Sequence, residues 1–403
     1  MLGDPYVVVE GSGSWSELGW GPYQFSKACY TTNGDIYVQW HMSNDQADPD
    51  LATTLAGQSK AVSEDGGKTW RAVTSEDIPV SDVTLSDGSY FAYFNGGGNA
   101  SYDWLSDYTD DVQKPKADRS NIDLYFAEDI EDFDTKVTFN KVDPETGVKT
   151  TVNATFNWPY MPMSTAGTLV HSLRQWISLG NYHSLIEKDG VLYLCFYCYG
   201  FDSSASSRET AVTKYSEYYS TYVFKSTDDG ATWDYLSQIS VTEDIFEVST
   251  SYSGSFEGFG EPMFEVMPDG SVVMLMRTGA NQPSYIVRST DNCKTWSTPV
   301  IFDDVGVLPQ ILTLGCGVTL ASYGRPGLFL RSTGDVQGLV WEEATEITLT
   351  GGVSTPSCYY TYLLALDDTT ALFFYTDCNY PNADGEGKKT VLARTVTVVP
   401  ADE

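Results

Sequence analysis

The stretch KSTDDGATWDYL, Lys225–Leu236, sets two acids, a glycine and a tryptophan within eight residues of a serine. Nearly the same words recur as VSEDGGKTW, ending at Trp70, and RSTDNCKTW, ending at Trp296. A worn copy, RSTGDVQGLVW, ends at Trp341. In this pattern Ser or Thr at the start and Asp two residues later can hydrogen-bond the amides of their own turn. Gly supplies a left-handed residue. Trp is expected to pack inward against the next outer strand. The motif reads as a structural clip at the edge of a repeated unit, with its acids used on their own turn.

The rest of the unit shows when the chain is searched for an apolar run, a tight turn and a second apolar run. Six copies occur. Their turns fall at Asn33-Gly34, Asp87-Gly88, Asp189-Gly190, Asp269-Gly270, Gly315–Gly317 and Asp367-Asp368. Asn-Gly and Asp-Gly between apolar runs predict hairpins whose two central residues both take positive φ. Four hairpins lead through a further strand into the clip. Each unit is therefore a small antiparallel sheet that cannot bury both faces alone. Six such sheets stacked radially predict an all-β, six-bladed propeller, formed as one domain over 1–403. The widest gap, between Asp87 and Asp189, is rich in Gly and Asp, and predicts a loop insertion around 95–170.

Composition agrees and excludes several function classes. Of 403 residues 35 are Gly, 27 Tyr and 10 Trp, a turn-rich β composition. Fifty-five acids face 23 Lys and Arg, giving a net charge of -32. That field repels phosphate backbones and anionic membranes, so neither nucleic acid nor membrane is an expected partner. No apolar run is long enough to span a bilayer. The opening MLGDPYVVVEGSG lacks the basic region and apolar core of a signal peptide, and location stays open. Seven Cys, an odd number, make no disulfide framework. Cys195 and Cys198 lie on one strand-like run, GVLYLCFYCYG, three apart, and are expected to pack on opposite faces. With three His in the chain, no metal site is expected.

The pattern S-x-D-x-G-x-T-W, repeated in step with hairpins, is the Asp-box, and over nearly its whole length the chain resembles the sialidase superfamily of six-bladed propellers. The resemblance implies a glycan partner, no cofactor, and a set of site residues. Sialidases use a Tyr nucleophile helped by Glu, an Asp acid/base, and three Arg that hold the substrate carboxylate. GEPMFEVMPDGSVVMLMRTG carries over Glu261 and Arg277. SYGRPGLFLRSTGD carries over Arg325, and SCYYTYLLALDDTTALFFY the nucleophile Tyr360, with Tyr362 as fallback. The Asp lies in HMSNDQADPDLATTLAG, where Asp45, Asp48 and Asp50 qualify and spacing favours Asp50, then Asp48. The family's first Arg is replaced, in PYQFSK, by Gln24. His41 stands where the family has an acidic or small residue, and His183, opening an inner strand, is expected to face the axis.

Together these residues imply an exo-acting glycoside hydrolase on sialic acid or a related acidic sugar, with an incomplete Arg clamp. A lyase acting on uronate-containing glycans, a glycan-binding propeller without turnover, and a structural propeller stay open.

Overall fold

The computed structural model describes residues 1–43, 55, 57–92, 122–126, 136–158, 162–166, 169–171, 185–347, 349–350 and 360–399. Among them, six antiparallel sheets of four strands follow one another. Sheet one is Gln24–Thr31, Ile36–His41, Lys60–Ser63 and Arg71–Ala72. Sheet two is Pro79–Thr84, Tyr90–Ala92, Lys136–Val142 and Lys149–Asn157. Sheet three is Leu185–Lys188, Val191–Tyr199, Tyr219–Ser226 and Thr232–Ile239. Sheet four is Gly260–Val266, Val272–Arg277, Ser284–Ser289 and Val300–Asp303. Sheet five is Val307–Thr313, Thr319–Gly324, Leu328–Thr333 and Thr345–Glu346. Sheet six takes Tyr362–Ala365, Thr370–Pro381 and Gly387–Thr397, and its fourth strand is Tyr6–Glu10.

All six expected hairpins form, but their turns differ from the expected type. Only at Asp189-Gly190 do both residues take positive φ, 54° and 75°. At Gly34, Gly88, Gly270 and Gly317 the glycine alone is left-handed among the turn residues, and its N–H donates to the carbonyl three residues back. This is a type I turn followed by a left-handed bulge residue. Asp87 and Asp269 favour it, because each carboxylate accepts the amide two residues on, at 3.0 and 2.9 Å.

Residues 136–157, expected inside the insertion, supply the two outer strands of sheet two. Phe139 and Val142, set in KVTFNKV, and Ala154 and Phe156, on the next strand, are buried, so these strands are seated by ordinary apolar packing. A separate small sheet joins Ile122–Phe126, Pro162–Ala166 and Leu169–His171.

The first strands of the sheets neighbour one another. The first strands of sheets one and two pair directly, through Tyr30 with Val80 and Thr31 with Pro79. Those of sheets two and three, three and four, four and five, five and six, and six and one also touch. A cavity of about 160 Å³ lies among first strands of five sheets, lined by Ala28, Val83, Leu185, Leu312 and Leu363. Apolar cores fill the spaces between successive sheets, as with Phe156, Phe196, Phe224 and Trp233 between sheets two and three. Cys195 and Cys198 lie in two different cores, as expected of opposite strand faces.

The clips form as anticipated. Ser63, Ser226 and Ser289 each donate to the Asp two residues on, at 2.8, 2.8 and 2.9 Å. Each serine oxygen accepts the amide four residues ahead, from Gly67, Gly230 and Cys293, at 2.8, 2.9 and 2.9 Å. The tryptophans, however, reach toward the preceding sheet rather than the following one. Trp233 stacks on Phe156 of sheet two, Trp341 meets Phe302 of sheet four, and Trp296 donates to Ser237 of sheet three. Trp70 of sheet one meets Phe374 of sheet six. The clip turns the chain back at the edge of its own sheet, so its tryptophan faces the sheet already laid down.

Candidate active site

One end of the first strands carries a repeated backbone distortion. Register slips by a bulge between Gln24 and Lys27, Gly260 and Met263, and Val307 and Gln310. In each bulge a non-glycine residue takes positive φ: Phe25 at 56°, Glu261 at 43° and Leu308 at 42°. Such residues cost about 1–3 kcal/mol each and persist only where the surroundings impose them, which happens most often at functional sites.

Glu261 is the polar member of the three. Its Oε1 accepts from Arg277 Nη1 at 2.7 Å, and its Oε2 from the Leu308 amide at 2.7 Å. A second carboxylate, Glu257, approaches Arg277 Nη2 at 3.2 Å. Burial works against the Arg277 charge, but the two carboxylates outweigh it and hold the guanidinium above the ordinary arginine range. The loop EGFGE is positioned by Tyr219, whose amide donates to the Glu257 carbonyl and whose carbonyl accepts from Phe259. Gly258 between them has φ 91°, and a Cβ there would stand 2.4 Å from the Tyr219 nitrogen, so only glycine lets the two backbones meet.

Tyr360 lies just before the first strand of sheet six and is 7 % exposed. Its hydroxyl oxygen accepts from Arg325 Nη2 at 3.2 Å. Arg325, itself at φ 65°, lies over the Trp20 ring at 4.8 Å. Phe25 packs against Tyr360 at 4.3 Å, with Trp20 at 5.6 Å. Tyr360 also acts electrostatically on Arg277, as does Tyr197, so the two guanidiniums and the Tyr360 phenol share one environment. Burial, and then the Glu261 charge, push the Tyr197 phenol well above its ordinary value. Among the described residues, no acceptor meets the Nε–H of Arg277 or of Arg325.

Tyr360, Arg325, Glu261 and Arg277 are thus brought together. His41 is exposed at the same end, its ring 5.5 Å from Phe25. Gln24 does not face this space. It is fully buried, and its Oε1 accepts from the Gly21 amide at 2.6 Å and Lys389 Nζ at 3.0 Å. The bulge turns the next side chain, Phe25, toward Tyr360 instead. Tyr362 also departs from Tyr360. The strand begins only at Tyr362, so its alternation does not extend back, and Tyr362 packs in the core between sheets one and six. Asp45, Asp48, Asp50 and His183 lie outside the described residues.

Sequence reasoning passed over Trp20, Phe25, Tyr197 and Glu257. Phe25 holds in sheet one the place of Glu261 in sheet four, a correspondence set by the backbone bulge that the letters of PYQFSK do not carry. Glu257 stands in the same EGFGE loop as Glu261, a second acid beside a lone strand-end arginine.

In fold the chain is similar to a protein of unknown function from Dyadobacter fermentans, with a TM-score of 0.57, 18% identity and 98% of both chains covered. It is similar to an alpha-L-arabinanase of Penicillium chrysogenum complexed with arabinobiose, at a TM-score of 0.52 and 12% identity over 98% of both chains. A sialidase of Streptococcus pneumoniae aligns at a TM-score of 0.46 and 12% identity, over 98% of this chain and 71% of that one. No protein-family model matches the chain, and no curated protein matches it. What the likenesses above 0.5 show is a shared all-β fold of the propeller type.

Proposed function

We propose that the six sheets are the blades of one propeller domain over 1–403, and that the chain is a glycoside hydrolase acting at glycan ends. One observation carries the reading: Tyr360 is bonded to Arg325 at the rim where Glu261 grips Arg277. Adjacent positive charge favours phenolate character, so Tyr360 is the nucleophile. Its oxygen attacks the anomeric carbon while its proton passes toward Glu261, whose oxygens keep acceptor capacity. Asp50, or Asp48, donates a proton to the leaving oxygen, and water then releases the sugar from the tyrosine.

The charge balance bears on the sugar. The resemblance implies Arg277 and Arg325 as a carboxylate clamp. Arg277 is instead held by Glu261 and Glu257, so two guanidiniums stand against two carboxylates. A substrate carboxylate would meet little net attraction there, which favours a neutral sugar over sialic acid. His41 and the half-buried Phe25 ring suit a neutral ring with both polar and apolar faces.

The test is release of aryl alcohol from chromogenic α-arabinofuranosides, β-xylosides, α-sialosides and β-glucuronides, by the parent and by Tyr360→Phe. The expected result is turnover of a neutral glycoside, lowered at least about a thousand-fold in the variant. Fast sialoside cleavage would overturn the neutral-sugar reading. An unsaturated, ultraviolet-absorbing product from a uronate polymer would replace hydrolase by lyase. Binding without product from any substrate would leave a glycan-binding propeller.

A further inference from the structure

Away from the rim, a groove of about 730 Å³ runs between the outer strand of sheet three and the clip of sheet four. It is within the range of clefts that hold small molecules, about 300–1,000 Å³. One wall is Tyr235–Val241, the other Lys294–Pro299, and Phe201–Asp202 with Tyr215 close an end.

Three features of its lining point to one ligand chemistry. The first is charge. In a chain with 55 acids, the described lining of the groove carries one carboxylate, Asp202, and one ammonium, Lys294. Asp202 is already turned to Ser204, whose amide and hydroxyl both donate to it. The second is hydroxyl density. Ser204, Ser240, Thr242, Thr295, Ser297 and Thr298 line the groove and are all exposed; Ser204 and Thr295 give their protons to Asp202 and Asp291 and offer acceptors, while Ser240 and Ser297 accept from protein donors and offer their protons. The third is the aromatic content. Tyr215, Tyr235 and Trp296 are half-buried, each with surface left open.

Trp296 differs from its counterpart in the sheet-three clip. Trp233 is sealed at 0 % exposure, because the outer strands of sheets two and three pair in parallel beside it, Phe156 opposite Trp233. Sheets three and four have no such pairing, and Trp296 sits at the resulting opening, its Nε1 fixed to Ser237 at 3.0 Å. The wall is ordered in advance: Gln238 Nε2 donates to the Phe201 carbonyl at 2.9 Å and Ser240 Oγ at 2.7 Å, and its Oε1 accepts from the Ser203 amide at 3.0 Å.

We propose that this groove is a second glycan site, taking an uncharged oligosaccharide segment apart from the rim. Sugar hydroxyls would exchange hydrogen bonds with the serine and threonine wall, and the apolar face of a ring would lie on Trp296, on the side of sheet three that faces sheet four. Near-neutral walls give a polyanion no grip, and hydroxyl-rich walls suit an acyl chain poorly.

The test is mobility in native gels cast with soluble arabinan, xylan, mixed-linkage β-glucan or polygalacturonate, which reads binding without turnover. The variants are Trp296→Ala and Ser240→Arg; the second fills the groove from an exposed position and gives up the hydrogen bonds that Ser240 accepts from Gln238 and Ser220. The expected result is retardation of the parent by a neutral polymer, weakened about ten-fold or more in both variants and kept in Tyr360→Phe. Unchanged kcat of both groove variants on a small aryl glycoside would keep the groove separate from the rim. No retardation by any neutral polymer, retardation by polygalacturonate alone, or equal retardation of parent and Ser240→Arg would overturn the proposal.

Discussion

The clips and the rim repeat different things. At Ser63–Trp70, Ser226–Trp233 and Ser289–Trp296 the serine of each turn makes the same two hydrogen bonds, to its Asp and from the amide four residues ahead. At Phe25, Glu261 and Leu308 the same bulge and the same positive φ recur, but the side chains share nothing. One is aromatic, one a carboxylate, one aliphatic. Outside, repetition of side chains maintains architecture. At the rim, repetition of backbone presents different groups to one space, and a site needs different groups.

The comparison predicts that damage at the rim and at the clips will separate cleanly. Arg277→Met should have the largest effect. It strands Glu261, 13% exposed, beside an uncompensated carboxylate. The expected cost is about 3–5 kcal/mol of stability, read by urea denaturation, together with loss of measurable turnover. A variant that keeps turnover would remove Arg277 from the site. Ser289→Ala should come next. It takes the acceptor from the buried Cys293 amide, at about 1–3 kcal/mol, while kcat stays within about two-fold of the parent. A rate loss as deep as that of Arg277→Met would erase the distinction between the two regions.

The smallest expected effect is that of acid. Hydrogen bonds from Thr69 hold the Asp65 carboxyl down to about 2, against an ordinary 3.8. Asp291 is likewise at about 2: burial opposes the shift, and hydrogen bonds from Thr295 and Ser289 outweigh it. Because the folded-state values are depressed, these carboxylates stabilise the fold fully above about pH 4, and that stabilisation is lost as pH falls toward 2. Thermal melts should therefore drop through that window, and Asp65→Asn with Asp291→Asn should flatten the drop. A slope unchanged in the double variant would assign acid sensitivity elsewhere.

The same contrast explains what the sequence made legible. Side-chain repetition is visible in a string of letters, so the clips, the hairpins and the all-β class could all be read from it. Backbone repetition is not. Nothing in PYQFSK announces that Phe25 holds the place of Glu261, and aligning by letter gives Gln24, which the bulge directs to Lys389 instead. Arg277 was legible as the rare cation ending an apolar strand, but not its two carboxylate partners, because Glu257 reaches it through a loop set by Tyr219. Turn type was half legible: Asp-Gly marks a bend, while the aspartate's own bond to the amide two residues on decides which bend forms.

Sheet six borrows its fourth strand, Tyr6–Glu10, from the other end of the numbering, opposite Gly387–Thr397. On a ribosome adding about 5–20 residues per second, that segment emerges and then waits on the order of tens of seconds for its neighbour to be made. Five sheets can be completed while it is still solitary. Its arrival closes sheet six against a segment made long before, and an early-released nascent chain lacking residues beyond about 385 would carry an unmatched ribbon ready to pair with whatever edge it meets.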